Sequence, residues 1–132
     1  MSDGFFDTLP ATKPRKPKAP DTRPLEKEVQ KRIVNALERR DFIVHRINSG
    51  QFIHEGRHIG GAKAGTSDLI GCTPTGRYFA LEVKRLGEKP TDKQLAYLES
   101  VRAAGGIAGW ADNVPMALEL FGYAPSRWEQ NI

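Results

Sequence analysis

Thiol chemistry is nearly absent from this chain, which has one cysteine, Cys72, in 132 residues. A lone cysteine closes no internal disulfide, so a reducing, cytoplasmic setting is expected. Long apolar runs are missing as well. No stretch approaches the roughly 20 apolar residues of a membrane-spanning helix, and no charged-then-apolar leader of the secretory type is visible, so neither a membrane protein nor an exported one is expected. There is no internal repeat. Charge of one sign is only mildly in excess, with a formal net charge of +4 and an isoelectric point near 9.4. That excess favours a polyanionic partner such as nucleic acid without demanding one.

What is present fits one domain with a tail. At 39% hydrophobic and 27% charged residues, the chain has material for a single compact core. Residues 1–24 differ in composition, with Pro10, Pro14, Pro17, Pro20 and Pro24 set among Lys13, Arg15, Lys16 and Lys18. They read as a disordered, basic, proline-rich arm, either drawn to phosphate backbone or simply solvated. Residues 25–132 are the expected domain.

A helix is expected from Leu25 to Arg40, because at about 100° per residue Leu25, Val29, Ile33, Ala36 and Leu37 gather on one stripe. Glu28 falls on the opposite, basic-lined face within reach of Lys31 and Arg32. Glu26 falls inside the apolar stripe. A carboxylate there is costly unless something partners it, so Glu26, with Gln30 one turn on, is a candidate for a buried polar cluster; the plainer reading makes both boundary residues of a fraying first turn. Phe42–Ile47 reads as a strand broken by Asn48-Ser49-Gly50, and Gln51–Ile59 as a hairpin turning near Glu55-Gly56. Asp68–Gly71 reads as the start of a short strand, Thr73–Gly76 as a tight turn and Tyr78–Val83 as a strand. Thr91-x-x-Gln94 matches a capping box that opens a second helix, which Leu95, Leu98 and Val101 continue as far as Gly105-Gly106. Ile107–Trp110 suggests another strand and Val114–Leu120 a closing helix. That order implies an α/β fold with a mixed central sheet flanked by helices. Tyr97 and Trp110 are read as packing residues.

The chemistry concentrates in two short stretches, Gly65-Thr66-Ser67-Asp68 and Glu82-Val83-Lys84. Alternation along a strand sends Glu82 and Lys84 to one side and Val83 to the core. If Asp68 closes on the same point from a neighbouring strand, two hard oxygen ligands meet where Mg²⁺ could sit, with its other positions left to water and a substrate phosphate. Such a group is a hydrolytic site in outline. Arg46, on a strand expected beside the site, is a candidate phosphate contact. Lys63 and Arg57, in the glycine-rich approach to Asp68, are either phosphate contacts or solvated loop charges.

A competing motif occupies His54-Glu55-Gly56-Arg57-His58, which satisfies the H-E-x-x-H pattern of zinc proteases. That pattern needs a helix to bring its histidines one turn apart. Glycines at 50, 56, 60 and 61 argue against one, each costing up to about 1 kcal/mol relative to alanine. His45 reads as a strand residue rather than a ligand.

Glu26 with Gln30, Val44-x-Arg46-x-Asn48, Gly65-x-Ser67-Asp68-Leu69, Glu82-Val83-Lys84 and Gln94, taken in that order, resemble the VRR-NUC family, a branch of the PD-(D/E)xK nuclease superfamily. The likeness spans about residues 25–122. An E-x-K tripeptide alone is a weak signal, whereas five pieces in the correct order are a strong one. The superfamily's proline before the first aspartate is replaced here by Ser67, as is common in VRR-NUC members. The resemblance implies a restriction-endonuclease-like core, DNA cleavage with Mg²⁺ or Mn²⁺, and kinship with stand-alone nucleases of phages or prophages. Related small nucleases resolve four-way junctions. On this basis Asp68, Glu82 and the backbone carbonyl of Val83 are expected to hold the metal. Lys84 is expected to orient the attacking water, and Glu26 to serve a second metal or an outer-shell water. Gln94 keeps two readings, a helix cap or a member of the catalytic group. Coordinated cutting of a symmetric junction implies a homodimer. The alternative of another class is a catalytically silent DNA-binding module of the same fold, against which the intact Asp68, Glu82 and Lys84 speak.

Overall fold

The computed structural model describes residues 14–47 and 65–132, together with the backbone of residues 52–54 and 57–59. The first helix, α1 (Glu26–Glu38), buries Val29, Ile33, Val34, Ala36 and Leu37, the expected stripe with Val34 added. Each of the valine, isoleucine and leucine side chains taken fully out of water contributes on the order of 1.5–3 kcal/mol, and the Ala36 methyl less. Leu25 is the exception at 54% exposed. It occupies the N-cap in an extended conformation, so the helical phase does not apply to it. The helix stops as Asp41 turns to a φ of 64° and the Phe42 N–H donates to the Leu37 carbonyl at 3.2 Å, a closure that aspartate tolerates better than most residues.

Strands β1 (Ile43–Arg46), β4 (Leu69–Cys72), β5 (Tyr78–Val83) and β6 (Ile107–Ala111) form a sheet in the order β1-β4-β5-β6, while β2 (Phe52–His54) and β3 (Arg57–Ile59) pair as a separate hairpin. In the main sheet the β1–β4 and β4–β5 pairs are antiparallel and β6 runs parallel to β5. The parallel step is made through α2 (Asp92–Ala103), and α3 (Val114–Glu119) follows β6. The architecture is therefore the mixed four-stranded α/β sheet with flanking helices that the element order implied. Gly71 permits the close approach of β1, since a Cβ there would lie 1.8 Å from the Ile43 carbonyl oxygen.

The two faces of the sheet carry separate cores. Phe79, Leu81 and Val83 of β5 and Leu69 of β4 join the buried residues of α1 and α3. Ala80 and Ala108 join Leu98 and Val101 of α2, with Tyr97 and Trp110 packed against them. Leu95 was expected in this second stripe but is 42% exposed. At about 100° per residue it is Gln94 that projects between Leu98 and Val101, with Leu95 displaced to the margin.

The β2–β3 hairpin pairs Ile53 with His58 and His54 with Arg57. The two histidines of the H-E-x-x-H pattern thus lie on two antiparallel strands, and the helix a zinc protease needs is absent there. Among the described residues no helix is long and apolar enough to cross a membrane.

Candidate active site

The β4–β5 register pairs Leu69 with Leu81, so one step further Asp68 stands opposite Glu82. Residues directly opposite on antiparallel strands share a face, with Cβ atoms about 5 Å apart. Ala80, two residues before Glu82, packs with α2, which places this pair on the α2 side of the sheet. The approach to Asp68 begins at Gly65, whose φ of +89° suits glycine, and whose missing Cβ would lie 3.1 Å from the Lys93 carbonyl oxygen. The Asp68 carboxylate is fixed by the Val83 N–H, which donates to its Oδ2 at 2.9 Å. The Asp68 carbonyl accepts from the Ile47 N–H at 2.7 Å.

Glu82 is 1% exposed. Its Oε1 accepts from Gln94 Nε2 at 2.9 Å and lies 3.8 Å from Lys84 Nζ. Its Oε2 is buried without a hydrogen-bond partner among the described residues. Burial, then the negative charge of Asp68, then a side-chain hydrogen bond to Asp68 that Glu82 can make only when protonated, push its carboxyl well above the ordinary carboxylate range, with Lys84 pulling the other way. Gln94 caps α2 and at the same time reaches Glu82. Its backbone N–H donates to Thr91 Oγ1 at 3.3 Å and its Oε1 accepts from the Thr91 N–H at 2.9 Å, completing the capping box, while its amide nitrogen holds Glu82. A glutamine at the third helical position can do both because its amide has an acceptor and donors at opposite ends.

Glu26 is half-buried at the start of α1, and its carboxyl is raised by desolvation and then by the charge of Asp68, against the opposing effect of Lys84. The helix, the two strands and α2 thus bring Glu26, Asp68, Glu82, Lys84 and Gln94 into one electrostatic neighbourhood. Not every candidate joins them. Gln30 is half-buried one turn further along α1, and no hydrogen bond among the described residues ties it to the carboxylates. Arg46 is exposed and pairs with Leu69, whose side chain packs into the α1 core, so it leaves the sheet on the face away from Asp68 and Glu82. The side chains of Arg57 and Lys63 lie outside the described residues.

Among the described residues no three His, Cys, Asp or Glu side chains are grouped to hold a metal ion. Two carboxylates without a cage suit Mg²⁺, which keeps several waters and is bound through one or two carboxylates plus substrate phosphate. The unpartnered Oε2 of Glu82 is a hard-oxygen donor already stripped of water. These groups therefore fit a hydrated divalent cation. Surface hollows of about 250 Å³ beside Phe42, Arg77 and Tyr123 and about 380 Å³ beside Tyr78 and Val101 lie elsewhere.

Sequence reading missed two features. Ser67 is fully buried, and its Oγ has no hydrogen-bond partner among the described residues. Arg85, next to Lys84, reaches back to the segment before α1, donating from Nε to the Pro24 carbonyl at 3.0 Å and from Nη2 to the Arg23 carbonyl at 2.9 Å. No local pattern announces a contact between residues more than sixty positions apart.

The VRR-NUC domain family model matches residues 17–114. A solved structure described as "VRR_NUC domain" is 25% identical, with a TM-score of 0.54 over 74% of this chain and 95% of that one. No curated protein matches. A match over that much of the chain, with the Asp68, Glu82 and Lys84 group assembled at the end of β5, makes the chain a member of the VRR-NUC family, whose domains are generally nucleases.

Proposed function

We propose that the domain is a divalent-cation-dependent endonuclease that hydrolyses phosphodiester bonds in DNA, with Asp68, Glu82 and the backbone carbonyl of Val83 holding Mg²⁺ or Mn²⁺. The observation that carries this reading is the condition of Glu82, buried beside a second carboxylate with one oxygen that receives no hydrogen bond among the described residues. A buried carboxylate in that state is stabilised as an anion by a cation and otherwise costs the fold free energy. When bound, the cation supplies positive charge to the scissile phosphate and makes a nearby water more acidic.

The remaining work belongs to the chain. Gln94 fixes the orientation of Glu82 by holding Oε1. Lys84, whose side chain is 13% exposed and 3.8 Å from Glu82, holds the attacking water in this reading and offsets the charge that grows on the phosphate oxygens in the transition state. Glu26, with its raised proton affinity, is suited to hold an outer water or a proton beside the pair. A DNA substrate accords with the family and with the net charge of +4. The finer reading is structure-selective cleavage of four-way or other branched DNA by a homodimer, since one site cuts one strand and a symmetric junction needs two copies related by a two-fold axis.

The test is incubation of the purified protein with four-way junctions, forks, flaps and linear duplexes in Mg²⁺, Mn²⁺ or EDTA, beside Glu82→Ala and Lys84→Ala. Cleavage that needs the metal and vanishes in both variants is expected. Absence of metal-dependent product, or product unchanged in the variants, would remove the nuclease assignment. Sizing that finds only monomer under cleavage conditions would remove the dimer.

A further inference from the structure

The residues just before α1 do not hang free. Arg85 makes an ion pair with Asp21 Oδ2 at 3.0 Å in addition to its bonds to the Pro24 and Arg23 carbonyls. Arg23 reciprocates by donating to the Leu86 carbonyl at 2.8 Å, and it is held in turn by Asp21 at 2.9 Å. The segment 21–24 and the residues 85–86 are thus clasped from both sides. The clasp sits one residue beyond Lys84 on one strand of chain and two residues before Glu26 on the other.

Two physical details show what the clasp is for. The N-cap of α1, Leu25, makes no side-chain capping bond, so the first turn of the helix lacks the usual local anchor. A guanidinium near a helix N-terminus also opposes the helix dipole. Arg85 therefore does not serve α1 as a charge. It serves as a planar fork that ties backbone carbonyls ahead of the helix to the end of β5, with Asp21 offsetting its charge. Three acceptors in three directions suit the five donors of arginine and not the single ammonium of lysine.

We infer that Arg85, supported by Asp21, is a positioning residue of the nuclease site that fixes Glu26 relative to Asp68, Glu82 and Lys84, and that segment 21–24 is accordingly a working part of the enzyme rather than a leader. The inference rests on the nuclease reading of the site.

The experiment compares wild type, Arg85→Ala, Arg85→Lys, Asp21→Ala, Glu26→Ala and the double variant Glu26→Ala/Arg85→Ala, using kcat and KM on a DNA substrate and amide hydrogen exchange. Arg85→Ala is expected to lower kcat by about 10–100-fold with KM little changed, as loss of an orienting partner does. Arg85→Lys should recover only part of that rate, and Asp21→Ala should lose less than Arg85→Ala because both carbonyl bonds survive. The double variant should be no slower than the slower single variant, since both act through Glu26. Exchange at the Glu28, Val29 and Gln30 amides should quicken in Arg85→Ala while Ile33 to Leu37 stay protected. Losses that multiply in the double variant, or an Arg85→Ala rate equal to that of an active wild type, would overturn the inference and leave the nuclease reading standing. Wild type that leaves DNA uncut would instead sink the nuclease reading. Unaltered exchange at Glu28 to Gln30 in Arg85→Ala, or a rise along the whole of α1, would sink the clasp whatever wild type does.

Discussion

Glu82 and Glu129 are both 1% exposed, and their surroundings are opposite. Near the C-terminus, both oxygens of Glu129 are saturated. Arg40 grips them with a fork at 2.7 and 2.8 Å, Arg39 adds a bond at 2.9 Å and the Ser126 N–H another at 2.8 Å. Those donors hold its carboxyl far below the usual range. Glu82 has one amide, one lysine at longer range, a second carboxylate on the neighbouring chain segment and an oxygen that receives no hydrogen bond among the described residues, and its carboxyl is pushed up. The same side chain at the same depth is a structural tie in one place and a frustrated group in the other. Frustration of this kind is what the cation of the proposed function would relieve.

The comparison breaks first on activity. Glu82→Gln should reduce DNA cleavage by about 10³-fold or more, as loss of a residue that holds the catalytic cation does, whereas Glu129→Gln should leave the rate of the folded protein near wild type; gel assays at saturating metal measure both. Stability should run the other way. Glu129→Gln should destabilise by about 2 kcal/mol through loss of charge-assisted bonds, and Glu82→Gln should stabilise metal-free protein by roughly 1 kcal/mol at pH 8, with thermal melts in EDTA reading both.

The pH dependences sharpen the contrast. Glu82 binds its proton more tightly in the folded state than in the unfolded one, so from its ordinary value of 4.5 up to its raised one the stability of metal-free protein falls as pH rises. Glu129 is the reverse. Its contribution is present above the ordinary value and lost as pH drops toward its depressed one. Melts in EDTA across about pH 5 to 8 should therefore decline for wild type and flatten in Glu82→Gln, and a decline that persists in that variant would assign it elsewhere. Gln94→Ala should cost about 1 kcal/mol as a lost cap and lower cleavage by about 10–100-fold. The smallest effect is expected at Ser67. Its hydroxyl has no partner among the described residues, so Ser67→Ala should lie within about 1 kcal/mol of wild type, on the stabilising side, in a denaturant titration.

Much of this is legible in the amino-acid sequence. Helical and strand periods placed α1, β5 and α2 to within two residues, because burial of one face is a repeating local signal. The capping box at Thr91 and Gln94 was legible for the same reason, since donor and acceptor sit three residues apart. Leu25 and Leu95 were misplaced because stripe membership was judged from residue type. The cap geometry at Leu25 and the polar demand of Gln94 decided otherwise. Arg46 was expected toward the site because its strand neighbours it; the register with Leu69 turned it to the other face.

By itself, then, the chain's order of residues determined which groups could do chemistry, and which helices and strands would carry them, since both depend on residue type and short-range spacing. Only the tertiary structure decided that Asp68 faces Glu82, that Gln94 reaches it and that Arg85 clasps the segment before Glu26. Those relations depend on strand register and on which elements pack together, and such long-range pairings are fixed by the burial of whole faces at once.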